Sequence, residues 1–265
     1  MRFLFGRPVL KMRPVAKGPR RLFILGAYPS ALHVGWNPPG SAKPIRAVAV
    51  DNEPEPFWTG ERELGFIEEW KRVIGFRDEW GSVSGCGKLN GSSGSWVEKK
   101  VLAPLDVRRS SAWITDCLDT YFESDTAARR LDAQELLSVL GDCGIPGRQH
   151  RPHPLEGAIV QEAKQQHRER LLGELLEAEP ELVVTLGNAA QRVFGSLLED
   201  ESDRIARLSL EDYGRTLRAR VHGRNVLWIP LAHPAAPKAY QNVHNAWVNG
   251  RLGSSNSACI RRALL

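Results

Sequence analysis

Four of the five apolar runs in this sequence are followed by side chains suited to acid–base or hydrogen-bond chemistry. They are Asp51 with Glu53, Asp116, Asn188 and His233. Carboxylates can activate water, and a histidine can donate a hydrogen bond near neutral pH. Any one of these residues alone is more simply explained as a turn cap or a hydrogen-bonded loop residue. Their shared position instead predicts one site that combines two acidic clusters with a histidine.

The apolar runs themselves predict buried parallel strands, because they are short and rich in Leu, Ile and Val. They are Leu22–Leu25, Ala47–Val50, Leu182–Leu186, Val226–Leu231 and the weaker Ala112–Thr115. Helical patterns lie between them, at Asp132–Leu140, Ile159–Ala178 and Ala189–Leu198. Strands that alternate with helices predict an α/β fold with helices on both faces of the sheet.

The loops that follow these strands are the predicted site, since ligands of open α/β sheets bind beyond the carboxyl ends of the strands. The first run continues into Gly26-Ala27-Tyr28-Pro29-Ser30, and the last into Ala232-His233-Pro234-Ala235-Ala236. Gly187-Asn188 follows Leu182–Leu186. Glycine and proline turns therefore accompany the carboxylates and the histidine.

The charge balance permits a nucleic-acid partner without requiring one. The chain of 265 residues has 36 Lys and Arg against 31 Asp and Glu, a net charge of +5. Seven of the basic residues and no acid lie in residues 1–21, which predicts an arm that is either solvated or in contact with phosphates. Average contents of hydrophobic (42%) and charged (25%) residues exclude a disordered, collagen-like or disulfide-rich chain.

Segments without a strand or helix pattern set the expected domain limits. We expect a basic arm at 1–21, one α/β domain at 22–248 and a polar tail at 249–265. The Gly/Ser-rich stretch 81–95 predicts a flexible loop. No apolar stretch approaches the roughly 18 residues of a membrane span, and the N terminus lacks signal-peptide features, so a cytoplasmic location is expected.

Neither a metal nor a cofactor is predicted. The four cysteines are widely spaced without a Cys-x-x-Cys pair, which is typical of reduced thiols and not of an iron–sulfur or zinc cluster. Cys143, His150 and His153 are close in sequence, but their Pro- and Arg-containing surroundings favour an exposed basic loop over a zinc site.

Taken together, the motifs resemble the uracil-DNA glycosylase superfamily over roughly Leu22 to Trp247. In chain order they are Gly-x-x-Pro-x at 26–30, a strand that ends in a polar recognition residue, Leu-Gly-Asn-Ala-Ala at 186–190 and His-Pro-small-small at 233–236. The resemblance implies a three-layer αβα fold with a central four-stranded parallel sheet. The fifth apolar run then either lies outside that sheet or extends it to five strands. The iron–sulfur branch does not fit, because its cysteine pattern is missing.

The resemblance also implies an activity. A base flipped out of double-stranded DNA would occupy a pocket at the strand ends that includes Gly26, and hydrolysis of its N-glycosidic bond would leave an abasic site. His233 matches the position that donates a hydrogen bond to the base carbonyl O2, where negative charge develops as the base departs.

The resemblance further implies residues that hold the DNA. The family wedges a leucine into the duplex after the His-Pro motif, whereas this chain runs Pro237-Lys238-Ala239-Tyr240. Tyr240 is the candidate wedge, and Lys238 is a candidate phosphate contact. The other candidate contacts to the DNA backbone are Pro29, Ser41, Asn188, Pro234 and Ala235.

Two departures from the family concern the water and the size of the base. Where the commoner members carry Asp, Asn or Glu to activate water, this chain has Tyr28, a poor base with an ordinary pKa of about 10. Asp51, with Glu53 as second choice, is then the expected water-activating residue; otherwise the site hydrolyses nothing. Ser30 replaces a tyrosine that blocks substituents on C5, so a 5-substituted pyrimidine would fit. Tyr28 or Phe57 would stack on the base.

The third departure is Asp116, which matches the asparagine that reads uracil in the family. Cytosine offers an amino donor at N4, which an aspartate accepts, whereas uracil offers an acceptor at O4. Aspartate is therefore the expected exchange for a cytosine-type base, unless Asp116 is only a turn residue.

These features lead to the hypothesis of a monomeric, monofunctional DNA glycosylase that excises a 5-substituted cytosine, such as the glucosylated hydroxymethylcytosine of bacteriophage DNA, in defence or repair. Three alternatives remain. They are a repair glycosylase for uracil or deaminated bases, a base-sensing or covalent DNA-binding protein without turnover, and an unrelated α/β enzyme that acts on a small nucleotide or glycoside.

Overall fold

A computed structural model describes residues 3–6, 16–41, 43–123, 144–145, 152–199, 208–211 and 213–253. Its chain divides into two compact units. Unit 1 comprises the described parts of Met1–Met12, Pro29–Gly94 and Asp119–Pro154; unit 2 comprises those of Arg13–Tyr28, Ser95–Leu118 and Leu155–Leu265. The single domain expected at 22–248 stays a prediction. The helix expected at Asp132–Leu140, and Cys143 and His150, lie outside the described residues.

The described strands and helices alternate along much of the chain. The strands are β1 (Leu22–Gly26), β2 (Ala31–Asn37), β3 (Ile45–Asn52), β4 (Ser82–Gly85), β5 (Ala112–Asp116), β6 (Leu182–Leu186), β7 (Leu217–Val221) and β8 (Arg224–Leu231). The α-helices are α1 (Glu63–Ile74), α2 (Ser92–Val97), α3 (Ala103–Leu105), α4 (Glu156–Glu162), α5 (Arg168–Ala178), α6 (Asn188–Gly195) and α7 (Lys238–Gly253). Single π-helical turns join α2 to α3 and α4 to α5, at Glu98–Leu102 and Ala163–His167.

Unit 2 contains a five-stranded sheet in the order β5-β1-β6-β8-β7. The first four strands are parallel, and β7 pairs with β8 in antiparallel fashion. The predicted α/β fold is thereby confirmed with a sheet that is mostly parallel, and four of the five apolar runs supply the four parallel strands. Within the sheet, Phe23 stacks on Trp113 at 6.4 Å between ring centroids, and Trp228 meets Phe194 of α6 at 5.1 Å.

The prediction for Ala47–Val50 is wrong in one respect. The run forms a strand, but it belongs to β3 in the three-stranded antiparallel sheet of unit 1, whose order is β3-β2-β4. Val48 and Val50 are fully buried there. An apolar run predicts that a strand is buried but does not indicate which sheet the strand joins, and this explains the error.

Unit 1 buries an aromatic core against this sheet. The Phe5 ring lies 5.4 Å from Trp36 of β2 and 5.5 Å from Trp70 of α1. Trp36 also donates a hydrogen bond from Nε1 to the Trp80 carbonyl at 2.7 Å. The stretch 81–95, expected as a loop, contains β4, a 3-10 turn at Gly87–Leu89 and the start of α2.

Helix α7 continues past the start expected for the polar tail at residue 249, because it runs to Gly253. Residues 254–265 lie outside the described part. Within the described ranges, no helix is long and apolar enough to cross a membrane.

Candidate functional site at the strand ends

His233 begins a tight turn two residues after the end of β8. Its carbonyl accepts a hydrogen bond from the Ala236 N–H at 2.9 Å, and Pro234 occupies the second position, which its fixed φ favours. The His233 Nδ1 atom accepts the Ala235 N–H at 3.2 Å. A neutral ring in this arrangement carries its hydrogen on Nε2, because Nδ1 is an acceptor. The His233 side chain is exposed and so presents an N–H donor at the strand ends.

Gly187 brings the loop after β6 against the His233 turn. Its N–H donates to the Leu231 carbonyl at 2.8 Å, and its φ is +90°, a conformation that favours glycine. A Cβ atom at residue 187 would lie 3.1 Å from the Cβ of His233. The predicted Gly187 and His233 motifs are therefore in close contact, and a glycine is needed at that contact.

Asp116 ends β5 beside the first motif. It lies opposite Gly26 in the parallel pairing of β1 and β5, and it is only 4% exposed. The pairing continues past both strand ends, because Cys117 donates its N–H to the Gly26 carbonyl and Leu118 donates to Ala27, each at 3.0 Å. Asp116 at the end of β5 and the start of the Gly-x-x-Pro-x motif are thus held together.

Arg170 of α5 holds the end of β5, and the sequence did not single it out. Its guanidinium donates to the carbonyls of Asp116 and Cys117 at 2.8 Å each. It also forms a salt bridge with Glu174 at 2.8 Å, in which the two side chains are 21% and 9% exposed. The spacing of four residues between Arg170 and Glu174 is an ordinary helix pair, so only the structure shows its contact with the strand end.

Tyr28 lies near Asp116 and is a neutral phenol. Burial, and then the negative charge of Asp116, raise the pKa of Tyr28 to about 12. A group with so high a pKa does not accept a proton from water near neutral pH in the manner of a carboxylate. The surroundings of Tyr28 therefore keep its proton in place, which agrees with the expectation that Tyr28 does not act as the base.

Two of the predicted DNA contacts in unit 2, Asn188 and Tyr240, are hydrogen-bonded to the backbone of Leu208. The Asn188 Oδ1 atom accepts the Leu208 N–H at 3.3 Å, and the Tyr240 hydroxyl donates to the Leu208 carbonyl at 2.9 Å. Insertion of Tyr240 into a duplex would require the second bond to break. Lys238 and Ala235 are exposed and Pro234 is half-buried. The roles proposed for these five residues on DNA stay predictions.

In unit 1, the Glu53 carboxylate binds backbone. It is 5% exposed and accepts N–H groups of Ser30 at 2.9 Å and of Phe57 and Trp58 at 3.3 Å each. The Glu53 N–H in turn donates to the Ser30 carbonyl at 3.0 Å. Glu53 thereby fixes the first turn after β3, a structural task that competes with its second-choice role as water activator.

The remaining predicted residues also belong to unit 1. Asp51 lies opposite Leu32 in the antiparallel sheet, so the expectation that it ends a strand of the parallel sheet is wrong. Its Oδ1 atom accepts the Asn52 N–H at 2.9 Å. Phe57 is buried with a φ of +53°, a strained backbone for an aromatic residue. Ser41 is exposed and donates its hydroxyl to the Lys43 carbonyl at 2.8 Å.

Pro29, which is buried, and Ser30, which is exposed, begin the Pro29–Gly94 part of unit 1. Among the described residues, no group of three or more His, Cys, Asp or Glu side chains is arranged to hold a metal ion. Comparison with protein-family models and with curated proteins finds no match to the chain.

Proposed function

We propose that the protein is a DNA glycosylase that binds a flipped-out base at the strand ends of unit 2 and releases it by hydrolysis of the N-glycosidic bond. One observation carries the proposal. Asp116 ends β5, and Tyr28, Gly187 and His233 follow β1, β6 and β8, the next three parallel strands in the sheet. Acidic, aromatic and imidazole groups thus share the edge at which α/β sheets bind ligands.

The departing base needs a donor at O2, because negative charge develops there as the bond breaks. The His233 turn supports this role, since the Ala235 N–H on Nδ1 leaves Nε2–H as the donor of the neutral ring. The turn bond to Ala236 fixes the loop in advance. A donor that is already oriented lowers the barrier without reorganisation during the reaction.

A 5-substituted cytosine is the base that we propose, and Asp116 supports it. The carboxylate accepts from the N4 amino group of cytosine and would face another acceptor at O4 of uracil. Neutral Tyr28 beside Asp116 offers a ring face for stacking. Ser30 belongs to unit 1, so its part in accommodating a C5 substituent comes from the resemblance alone. Defence against bacteriophages with modified DNA is the role that follows.

Asp51 stays the predicted water activator, since Tyr28 keeps its proton at neutral pH and Glu53 is bonded to three backbone N–H groups. Asp51→Asn keeps the size of the side chain and removes its basicity. We expect this variant to lose base release while it still binds DNA. Unchanged release would remove Asp51 from the proposal without touching the role of His233.

The test of the proposal is the identity of any base released from duplexes that contain uracil, hypoxanthine, hydroxymethylcytosine or glucosylated hydroxymethylcytosine. Mass spectrometry identifies the base, and alkaline cleavage locates the abasic site. We expect release of a modified cytosine, reduced about 10²- to 10³-fold in His233→Ala. His222→Asn, at an exposed histidine whose φ is +48°, is the matched control, because asparagine tolerates that conformation. Release that persists in His233→Ala would contradict the proposal.

A second candidate is a base-sensing protein that does not turn over. The high pKa of Tyr28 at the position of the family's water activator favours it. With DNA in excess, a sensor would release at most one base per protein molecule, whereas an enzyme would release many. Release of only uracil or hypoxanthine would instead support a conventional repair glycosylase.

A further inference from the structure

A chain of hydrogen bonds runs behind the His233 turn within unit 2. The Ala232 N–H donates to the Tyr213 hydroxyl oxygen at 3.0 Å, and that hydroxyl lies 2.6 Å from Nδ1 of His244. The Nε2 atom of His244 lies 3.0 Å from the Lys100 carbonyl oxygen. Ala232 directly precedes His233, so the chain ends on the peptide that leads into the candidate catalytic turn.

The direction of each bond in this chain follows from chemistry. The Lys100 carbonyl can only accept, so Nε2 of His244 carries a hydrogen. Burial, opposed in part by this hydrogen bond and assisted by the Lys100 charge, lowers the pKa of His244 to about 4. The ring is therefore neutral at pH 7, and Nδ1 accepts the Tyr213 O–H. The Tyr213 oxygen then accepts the Ala232 N–H, so every donor has an acceptor.

The hydrogen-bond chain through Tyr213 and His244 is surrounded by packed side chains. His244 is 2% exposed and stacks on Trp96, with 4.7 Å between ring centroids and 28° between planes. Burial raises the pKa of Tyr213 well above its ordinary value, so its hydroxyl keeps its proton. Leu208 is held by hydrogen bonds to Asn188 and Tyr240. The packed His244 ring and the protonated Tyr213 hydroxyl thus keep each bond of the hydrogen-bond chain in one direction.

We propose that Tyr213 is a positioning residue for His233: its hydroxyl, oriented by His244, fixes the Ala232 peptide and thereby the direction of the His233 Nε2–H donor. The inference rests on the proposed function for its catalytic meaning. Ala232 is 5% exposed, and a buried N–H without an acceptor is unfavourable. Removal of the hydroxyl would let this peptide rotate, and the turn that begins at His233 would move with it.

The structural test is amide hydrogen exchange at Ala232, measured by NMR on the full chain, in Tyr213→Phe. We expect faster exchange at Ala232 and a changed chemical shift of the His233 ring nitrogens. Tyr121→Phe removes a phenol hydroxyl in unit 1 and is the matched control, for which neither signal should change. Unchanged exchange at Ala232 in folded Tyr213→Phe would overturn the proposal, whether or not the protein proves to be a glycosylase.

The catalytic test compares two substitutions of His244. His244→Gln can accept from Tyr213 and donate to Lys100, whereas His244→Leu can do neither. We expect kcat for base release to fall roughly 10- to 100-fold in His244→Leu and in Tyr213→Phe with KM unchanged, and to be largely restored in His244→Gln. Equal loss in both His244 variants, with thermal unfolding showing that both are folded, would overturn the proposal. Absence of base release from the unmodified protein would instead contradict the glycosylase function and leave the exchange test decisive.

Discussion

At the scale of single residues, Asp116 is the residue that we propose reads the base. Asp116→Asn replaces an acceptor by an amide that can both accept and donate, which matches uracil. We expect the ratio of rates on modified cytosine to rates on uracil to fall about 10- to 100-fold, since a well-placed contact to a base edge contributes roughly 1–3 kcal/mol of discrimination. Competition between the two duplexes in one reaction measures this ratio.

The control for this prediction is Asp106→Asn. Asp106 is exposed, and its φ of +56° is tolerated by asparagine, so the substitution removes one negative charge without strain. The ratio of rates should not change in this variant. A ratio that is also unchanged in Asp116→Asn would show that Asp116 does not read the base.

The residues found from sequence and those missed differ in a physical way. Asp116 and His233 could be predicted because the end of a strand places the next side chain at the sheet edge whatever the rest of the fold does. Arg170 and Tyr213 act through carbonyl and N–H groups that are distant in sequence. A sequence pattern does not predict such a contact, because one partner is a backbone carbonyl or N–H group, which nearly every residue type can supply.

At the scale of elements, Gly187 tests the contact between the loops after β6 and β8. Gly187→Ala forces a side chain into a backbone conformation that favours glycine and against the Cβ of His233. We expect it to lower the free energy of unfolding by about 1–3 kcal/mol and to slow base release. Gly173→Ala on α5 is the control, because nothing lies within 4 Å of its added Cβ. Urea unfolding should show that this control stabilises the protein by up to about 1 kcal/mol.

Arg170 of α5 is hydrogen-bonded to the end of β5 and paired with Glu174. Arg170→Leu leaves a carboxylate that is 9% exposed without its partner, so we expect a loss of about 3–5 kcal/mol in the free energy of unfolding. Adding Glu174→Leu should recover much of that loss. The exposed pair Arg192 and Glu156 is the comparison, and Arg192→Leu should cost less than about 1 kcal/mol. Equal losses for the two arginines would contradict this account.

The sheet itself was predictable to a limited degree. Four buried parallel strands are continuous apolar runs because both faces are covered, and all four were found. Strand β7 was missed because the exposed Arg218 and Arg220 alternate with buried Ala219 and Val221, and a short alternating edge strand resembles a loop in composition. Strand β3 was found but assigned to the wrong sheet, because the order of strands depends on their pairing with distant segments, which the apolar run itself does not indicate.

At the scale of the whole molecule, each unit contains a histidine with a lowered pKa that should make stability depend on pH. Burial lowers the pKa of His33 in unit 1 and of His244 in unit 2 to about 4 each. Hydrogen bonds, from Asn90 and Ala31 for His33 and from Lys100 for His244, oppose these shifts only in part. An unfolded chain protonates its histidines near pH 6.5, whereas the folded chain does so near pH 4.

Between these two pH values the unfolded state therefore binds more protons, and the free energy of unfolding must fall as the pH is lowered from about 6.5 to about 4. Each histidine adds a slope of about 1.4 kcal/mol per pH unit within that window and none above it. Urea unfolding at pH 7, 6 and 5 measures the slope. His244→Gln and His33→Gln should each remove one histidine's share, while the exposed His222→Asn should remove none. Parallel curves for the unmodified protein and His244→Gln would mean that the pKa of His244 is the same in the folded and unfolded states. Below pH 6.5 its Nδ1 would then carry a proton and donate to the Tyr213 oxygen, which reverses that one bond of the hydrogen-bond chain.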